Sequence, residues 1–197
     1  MNFLAHIYLS FGNDEVTIGN FIADRIRGKH YGHFSEGIQK GIILHRAIDT
    51  YTDTHAIPRR SSKRLHKNYS HYSRVIVDIY YDHFLAKNWK DYSDVPLTRF
   101  VAGFYDLLER RYEILPLGIQ RMMPYMIADN WLVNYAELEG IERVLHGMNR
   151  RTNNRSKMNL AIADLEAHYG EFENEFQLFF KELITFSREK FNALCTD

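Results

Sequence analysis

Apolar residues recur at helical spacing along most of the chain, and β-branched runs are short. This periodicity predicts a nearly all-α protein. It places helices over residues 2–11, with Phe3, His6, Ile7 and Ser10 on one face, and over residues 17–27, stopped by Gly28. A helix over 37–53 comes next, with Ser35 as its N-cap. Pro58 suits the first turn of a short helix, and residues 73–89 form a strong one. Further helices are expected over 97–114, 125–135 and 138–148, with a kink or turn at Met122, Met123 and Pro124. The polar, basic stretch 149–157 reads as an exposed loop. The final helix spans 158–194, and Gly170 could split it. No repeat, low-complexity tract or linker interrupts the pattern, so residues 1–197 are expected to form one helical-bundle domain.

Two of these helices break the rule that charge lies opposite the apolar stripe. Ile38 and Ile42 stand four apart, and the next steps along the same stripe are His45, Asp49 and Asp53. In the second helix Asp78 and Asp82 fall among Val75, Ile79, Ala86 and Trp89. Ionisable groups that continue a buried stripe need partners, because an unpaired buried charge costs several kcal/mol or loses its charge. Arginine is one partner, a divalent metal the other. Helical bundles build metal sites from inward carboxylates and imidazoles on facing helices. The candidates are His6, Asp24, His45, Asp49, Asp53, Asp78, Asp82 and His83. Such a set without cysteine suits Mn²⁺, Mg²⁺ or Fe²⁺ better than structural zinc, and a bound ion of this kind activates water and polarises a phosphoryl oxygen. Each candidate has a plainer reading. His6 could be a hydrogen-bonded core histidine, Asp53 a cap, and Arg46 or Arg74 the counter-ion of an aspartate.

Composition adds limits. Lys and Arg total 25 and Asp and Glu total 25, so no global field draws the chain to nucleic acid or a membrane. Local patches are another matter: residues 54–77 contain no acid but carry Arg59, Arg60, Lys63, Arg64, Lys67 and Arg74. The aromatics of the last helix, Tyr169, Phe172, Phe176, Phe179 and Phe180, are expected in the core. A single cysteine, Cys195, suits a reducing cytoplasm. The leading residues do not read as a signal peptide, and no apolar run reaches the roughly 18 residues of a membrane span.

Several short motifs then occur in a fixed order: MNFLAH at the start, GN-x-x-AD-x-x-RG over 19–28, GI-x-x-HR-x-ID-x-x-TD over 41–53, D-x-x-x-DHFL over 78–85, WLV-x-Y over 131–135, GM-x-x-R over 147–151 and LEAHY over 165–169. Together they resemble the acyl carrier protein phosphodiesterase family over nearly the full length. The resemblance implies a helical fold related to the HD-type phosphohydrolases, and a divalent ion, typically Mn²⁺. It implies hydrolysis of the phosphodiester joining 4′-phosphopantetheine to a carrier serine. It maps the metal site onto His45, Asp49, Asp78 and Asp82, with Asp24 and His6 as further members. His6 or His83 is then the candidate catalytic acid or water-orienting group. The adjacent His-Asp pair of HD-type enzymes occurs here only in reverse, as Asp82-His83. Because acyl carrier proteins are small and acidic, Arg59, Arg60, Lys63, Arg64, Lys67, Arg150 and Arg151 are the expected docking residues. Two other functions fit the residues: a phosphohydrolase acting on a nucleotide or other small phosphodiester, and a non-catalytic helical module that binds an acidic protein.

Overall fold

The computed structural model describes residues 2–195, and among these every regular element is helical. The helices are α1 (Phe3–Tyr8), α2 (Asp14–Ile22), α3 (Glu36–Thr54), α4 (Ala56–Tyr69), α5 (Ser73–Lys87), α6 (Leu97–Arg110), α7 (Leu117–Ala128), α8 (Trp131–Asn134), α9 (Leu138–Arg151), α10 (Ala161–Ala167) and α11 (Tyr169–Cys195). None is long and apolar enough to cross a membrane.

The helix boundaries differ from the sequence pattern where side chains settle the ends. The Asn13 side chain accepts from the Val16 amide and starts α2 three residues early. Ser35 occupies the N-cap position of α3, but its hydroxyl donates to Glu15 Oε1 instead of capping. Helix α7 runs through Pro124, giving up the one bond that proline cannot donate. The break falls at Asn130, which holds the left-handed conformation with φ 44°. Helix α9 extends to Arg151, and the stretch after it is a built turn rather than a free loop. There Ser156 donates to Asn149 Oδ1, Asn149 donates to Asn154 Oδ1, and both Asn149 and Ser156 are buried. Helices α10 and α11 separate at His168, before Gly170.

The core is a continuous cluster in which α3, α5 and α11 meet. Phe172, Phe176, Phe179 and Phe180 are all buried. Phe176 packs against Tyr81, Phe84, Tyr92 and Phe180. Helices α2 and α3 are positioned differently, by a crossing in which their backbones touch. A Cβ on Gly19 would lie 2.0 Å from the Ile38 carbonyl oxygen, and one on Gly41 2.3 Å from that of Val16. Only glycine allows this approach.

Candidate active site

The close α2–α3 crossing sets Asn20 and Asp24 beside His45 and Asp49, and α1 adds His6. The His6 and His45 rings stack with centroids 4.0 Å apart. His45 Nε2 lies 3.0 Å from Asp49 Oδ2 and 3.2 Å from Asp24 Oδ1. His6 Nε2 lies 3.2 Å from Asp49 Oδ1. One potential ligand atom from each of His6, His45 and Asp49 falls within 4.8 Å of the others.

Asn20, which the sequence pattern does not single out, orients both rings. Its main-chain oxygen accepts from His45 Nδ1 at 2.8 Å, and its side-chain Oδ1 accepts from His6 Nδ1 at 2.8 Å. Its amide cannot be turned round, because Nδ2 donates to the His6 carbonyl at 2.8 Å and to Ser10 Oγ at 3.1 Å. Both rings therefore carry a proton on Nδ1 and turn Nε2 toward the carboxylates. Metal-binding imidazoles are held in this way, by a bond from the distal ring nitrogen to a fixed acceptor. The signal for Asn20 was its place among Ile18, Phe21 and Ile22, a polar side chain with no exposure at all.

His6 Nε2 is buried and lacks the alignment of a hydrogen bond. A ring lone pair facing a carboxylate oxygen is repulsive unless a cation stands between them. In the metal-free protein a proton on His45 does part of this. Burial opposes its charge, but Asp24 and Asp49 outweigh burial and hold the ring up at about 9. His6 moves the other way, to about 4, through burial and the charge of His45. Asp49 is held well below the usual carboxylate range: its burial is overcome by the bond from His45 and by the neighbouring His6 ring. One proton cannot serve both Nε2 atoms, whereas a divalent ion would satisfy both rings and Asp49 together. The residues fit such an ion.

The other residues expected at the site divide between the cleft and the fold. Asp78 is half-buried and lines the cleft, its carboxyl pushed up by burial and by Asp49 and Asp53. Asp82 is wholly buried and accepts from the Leu4 amide at 2.7 Å and the Ala5 amide at 3.1 Å, so it anchors the first turn of α1. His83 Nδ1 bonds the Tyr135 carbonyl and its Nε2 the Tyr169 hydroxyl, each at 2.7 Å. Asp53 lies 3.5 Å from Arg74. The missing acid for the basic stretch comes from α11: buried Glu175 takes a fork from Arg64 at 2.9 and 2.9 Å, Arg60 Nε at 3.0 Å, and the Ser61 hydroxyl. Arg60, itself exposed, and the partly buried Arg64 are thereby committed to Glu175, while Arg59, Lys63 and Lys67 stay exposed.

A cleft of about 1440 Å³ opens over this cluster. Asp24, Asp49, Asp53 and Asp78 line one wall, and α9 lines another with Arg143, Arg150 and Arg151. His71, Arg74, Trp131 and Tyr135 complete it.

Comparison with known proteins gives the family. Residues 1–183 match the family model described as acyl carrier protein phosphodiesterase. A protein of that name from Photorhabdus laumondii is 32% identical over 96% of each chain. One from Pectobacterium atrosepticum is 31% identical over 95% of this chain and 98% of its own. A third, from Klebsiella pneumoniae, is 32% identical over 96% and 99%. No solved structure gives a significant match. The match to the family model and the near-complete coverage of these relatives place the chain in the acyl carrier protein phosphodiesterase family.

Proposed function

We propose that this chain removes the 4′-phosphopantetheine arm from holo acyl carrier protein by hydrolysing the phosphodiester to the carrier serine, leaving apo carrier. The observation that carries the reading is the coincidence of a family match over residues 1–183 with an orphaned His6 Nε2 facing Asp49, which lines a large cleft. The cleft exceeds the roughly 300–1,000 Å³ that a small ligand fills, which favours a carrier-borne arm over a free nucleotide.

His6, His45 and Asp49 would hold a divalent ion, Mn²⁺ for preference, with Asp24 and Asp78 as flanking carboxylates. When bound, that ion supplies positive charge that polarises a phosphoryl oxygen and makes water acidic enough to attack near neutral pH. Asn20 keeps both imidazoles turned toward the carboxylates. Asp49 and Asp24 orient the attacking water, and Arg74, held by Asp53, receives a non-bridging oxygen of the phosphodiester. Neither His6 nor His83 is free to move a proton, since His6 gives Nδ1 to Asn20 and would give Nε2 to the ion, and both nitrogens of His83 are occupied. His71 in the cleft takes that role and protonates the departing serine oxygen. Asp82 serves the fold, not the ion. An exposed Cys195 without a disulfide suits a cytoplasmic setting.

Incubation of holo carrier with the protein and Mn²⁺ in ¹⁸O-water, read by mass spectrometry, tests the reading. Intact phosphopantetheine labelled on phosphate and an unmodified serine are expected. Label on serine, dehydroalanine, or full activity after chelation would overturn it.

A further inference from the structure

We infer that the cleft-facing side of α9 is the surface that receives the acidic carrier, with Arg143, Arg150 and Arg151 as its contacts; this rests on holo carrier being the substrate. Gly140, Arg143, Gly147 and Arg150–Arg151 recur at helical spacing and all line the cleft, so they share one face. Among the described residues none of the three arginines reaches a carboxylate, and the hydrogen bond Arg151 makes is to the Met148 sulfur, at 3.6 Å. The acid nearest in sequence on the cleft side, Glu142, lies 3.8 Å from His146.

The basic stretch of α4 differs on this point. Its two central arginines already share the carboxylate of Glu175, and its remaining cations do not line the large cleft. Unpaired cations in a concave wall focus field on an approaching anionic surface, whereas paired ones do not.

Gly147 is the second observation. A Cβ there would meet nothing nearer than Arg150 Nη2 at 4.0 Å. Glycine inside a helix is disfavoured relative to alanine, and no neighbouring backbone demands it here, unlike Gly19 or Gly41. The bare position leaves an open floor between the arginines, where a carrier segment can approach the helix. Its acidic side chains would then meet Arg143 on one side and Arg150 and Arg151 on the other.

The test measures binding of fluorescently labelled holo carrier, with chelator present to prevent turnover, and Mn²⁺ affinity by calorimetry. Arg150→Glu/Arg151→Glu is expected to weaken carrier binding roughly tenfold at low salt and much less at about 0.5 M NaCl, leaving Mn²⁺ affinity unchanged. Lys63→Glu/Lys67→Glu on α4 is expected to change carrier binding less than about twofold. A larger effect from the α4 pair, or unaltered binding by the α9 pair while wild type still cleaves holo carrier, overturns the proposal alone. Wild type that neither binds nor cleaves holo carrier overturns the functional reading and this surface with it.

Discussion

The ionic clusters around Glu175 and around Asp49 are built to opposite ends. Around Glu175 every acceptor site is used: two arginines and a serine converge on one carboxylate. Around Asp49 the count does not close, since His6 Nε2 points at the carboxylate without a hydrogen bond. A saturated cluster joins α4 to α11. An unsaturated one, with both rings oriented by Asn20, has a geometry that a divalent ion would fit. Burial and charge alone do not tell the two clusters apart; the unfilled valence at His6 Nε2 does.

The largest expected effect breaks the open cluster. Asp49→Asn should abolish Mn²⁺ binding and activity. Asp49 is 40% exposed on its side chain, so the melting point in chelator should fall by the equivalent of about 1 kcal/mol or less. Glu175→Ala should do the reverse. It strands Arg64 in a largely buried place, and about 2–3 kcal/mol of stability should be lost in denaturant titration, less than for a fully dry pair because Arg60 reaches solvent. Its Mn²⁺ affinity should be unchanged; a joint loss of both properties in either variant would erase the contrast. Asn20→Ala releases the His6 ring, while the main-chain bond to His45 stays, and should lower Mn²⁺ affinity about 10–100-fold. Calorimetry showing wild-type affinity would remove Asn20 from the site.

A smaller effect is expected from pH. Below about 9 the metal-free His45 ring carries a proton that an ion must displace. Apparent Mn²⁺ affinity should therefore climb as pH rises, by at most about tenfold per unit, and level off near pH 9. Stability of the metal-free protein runs the opposite way. The folded value lies above the ordinary imidazole 6.5, so this contribution is complete below 6.5 and disappears as pH rises through 9. A flat affinity profile between about pH 6 and pH 9 would mean that no proton is displaced.

The helical stripes made much of this legible. Ile38 and Ile42 pointed to His45 and Asp49 because a stripe extends in a straight line along a helix. The same reasoning placed Asp78 and Asp82 inward but could not say what each meets there. Asp82 meets amides of α1, 78 and 77 residues away, and the basic stretch meets Glu175, 111 to 115 residues away. Such distant pairings leave no local periodic trace. Pro124 misled for a different reason: packing of Met122, Met123 and Met126 carries α7 through a residue that local propensity treats as a stop. Asn20 was invisible as an orienting group because its role is divided between side chain and main chain.

The contact of Gly19 with Gly41 has a bearing on tolerance to change. Main chain rests directly on main chain there, so the interval between Asn20 and His45 is dictated by two peptide backbones and not by the bulk of intervening side chains. The aromatic interior around Phe176 can accordingly be repacked, in a laboratory or by drift, at a cost in melting temperature but with little change in the spacing of these side chains. Enlarging either glycine would act like lengthening a caliper's jaw: every donor stays present while the gap they measure is wrong.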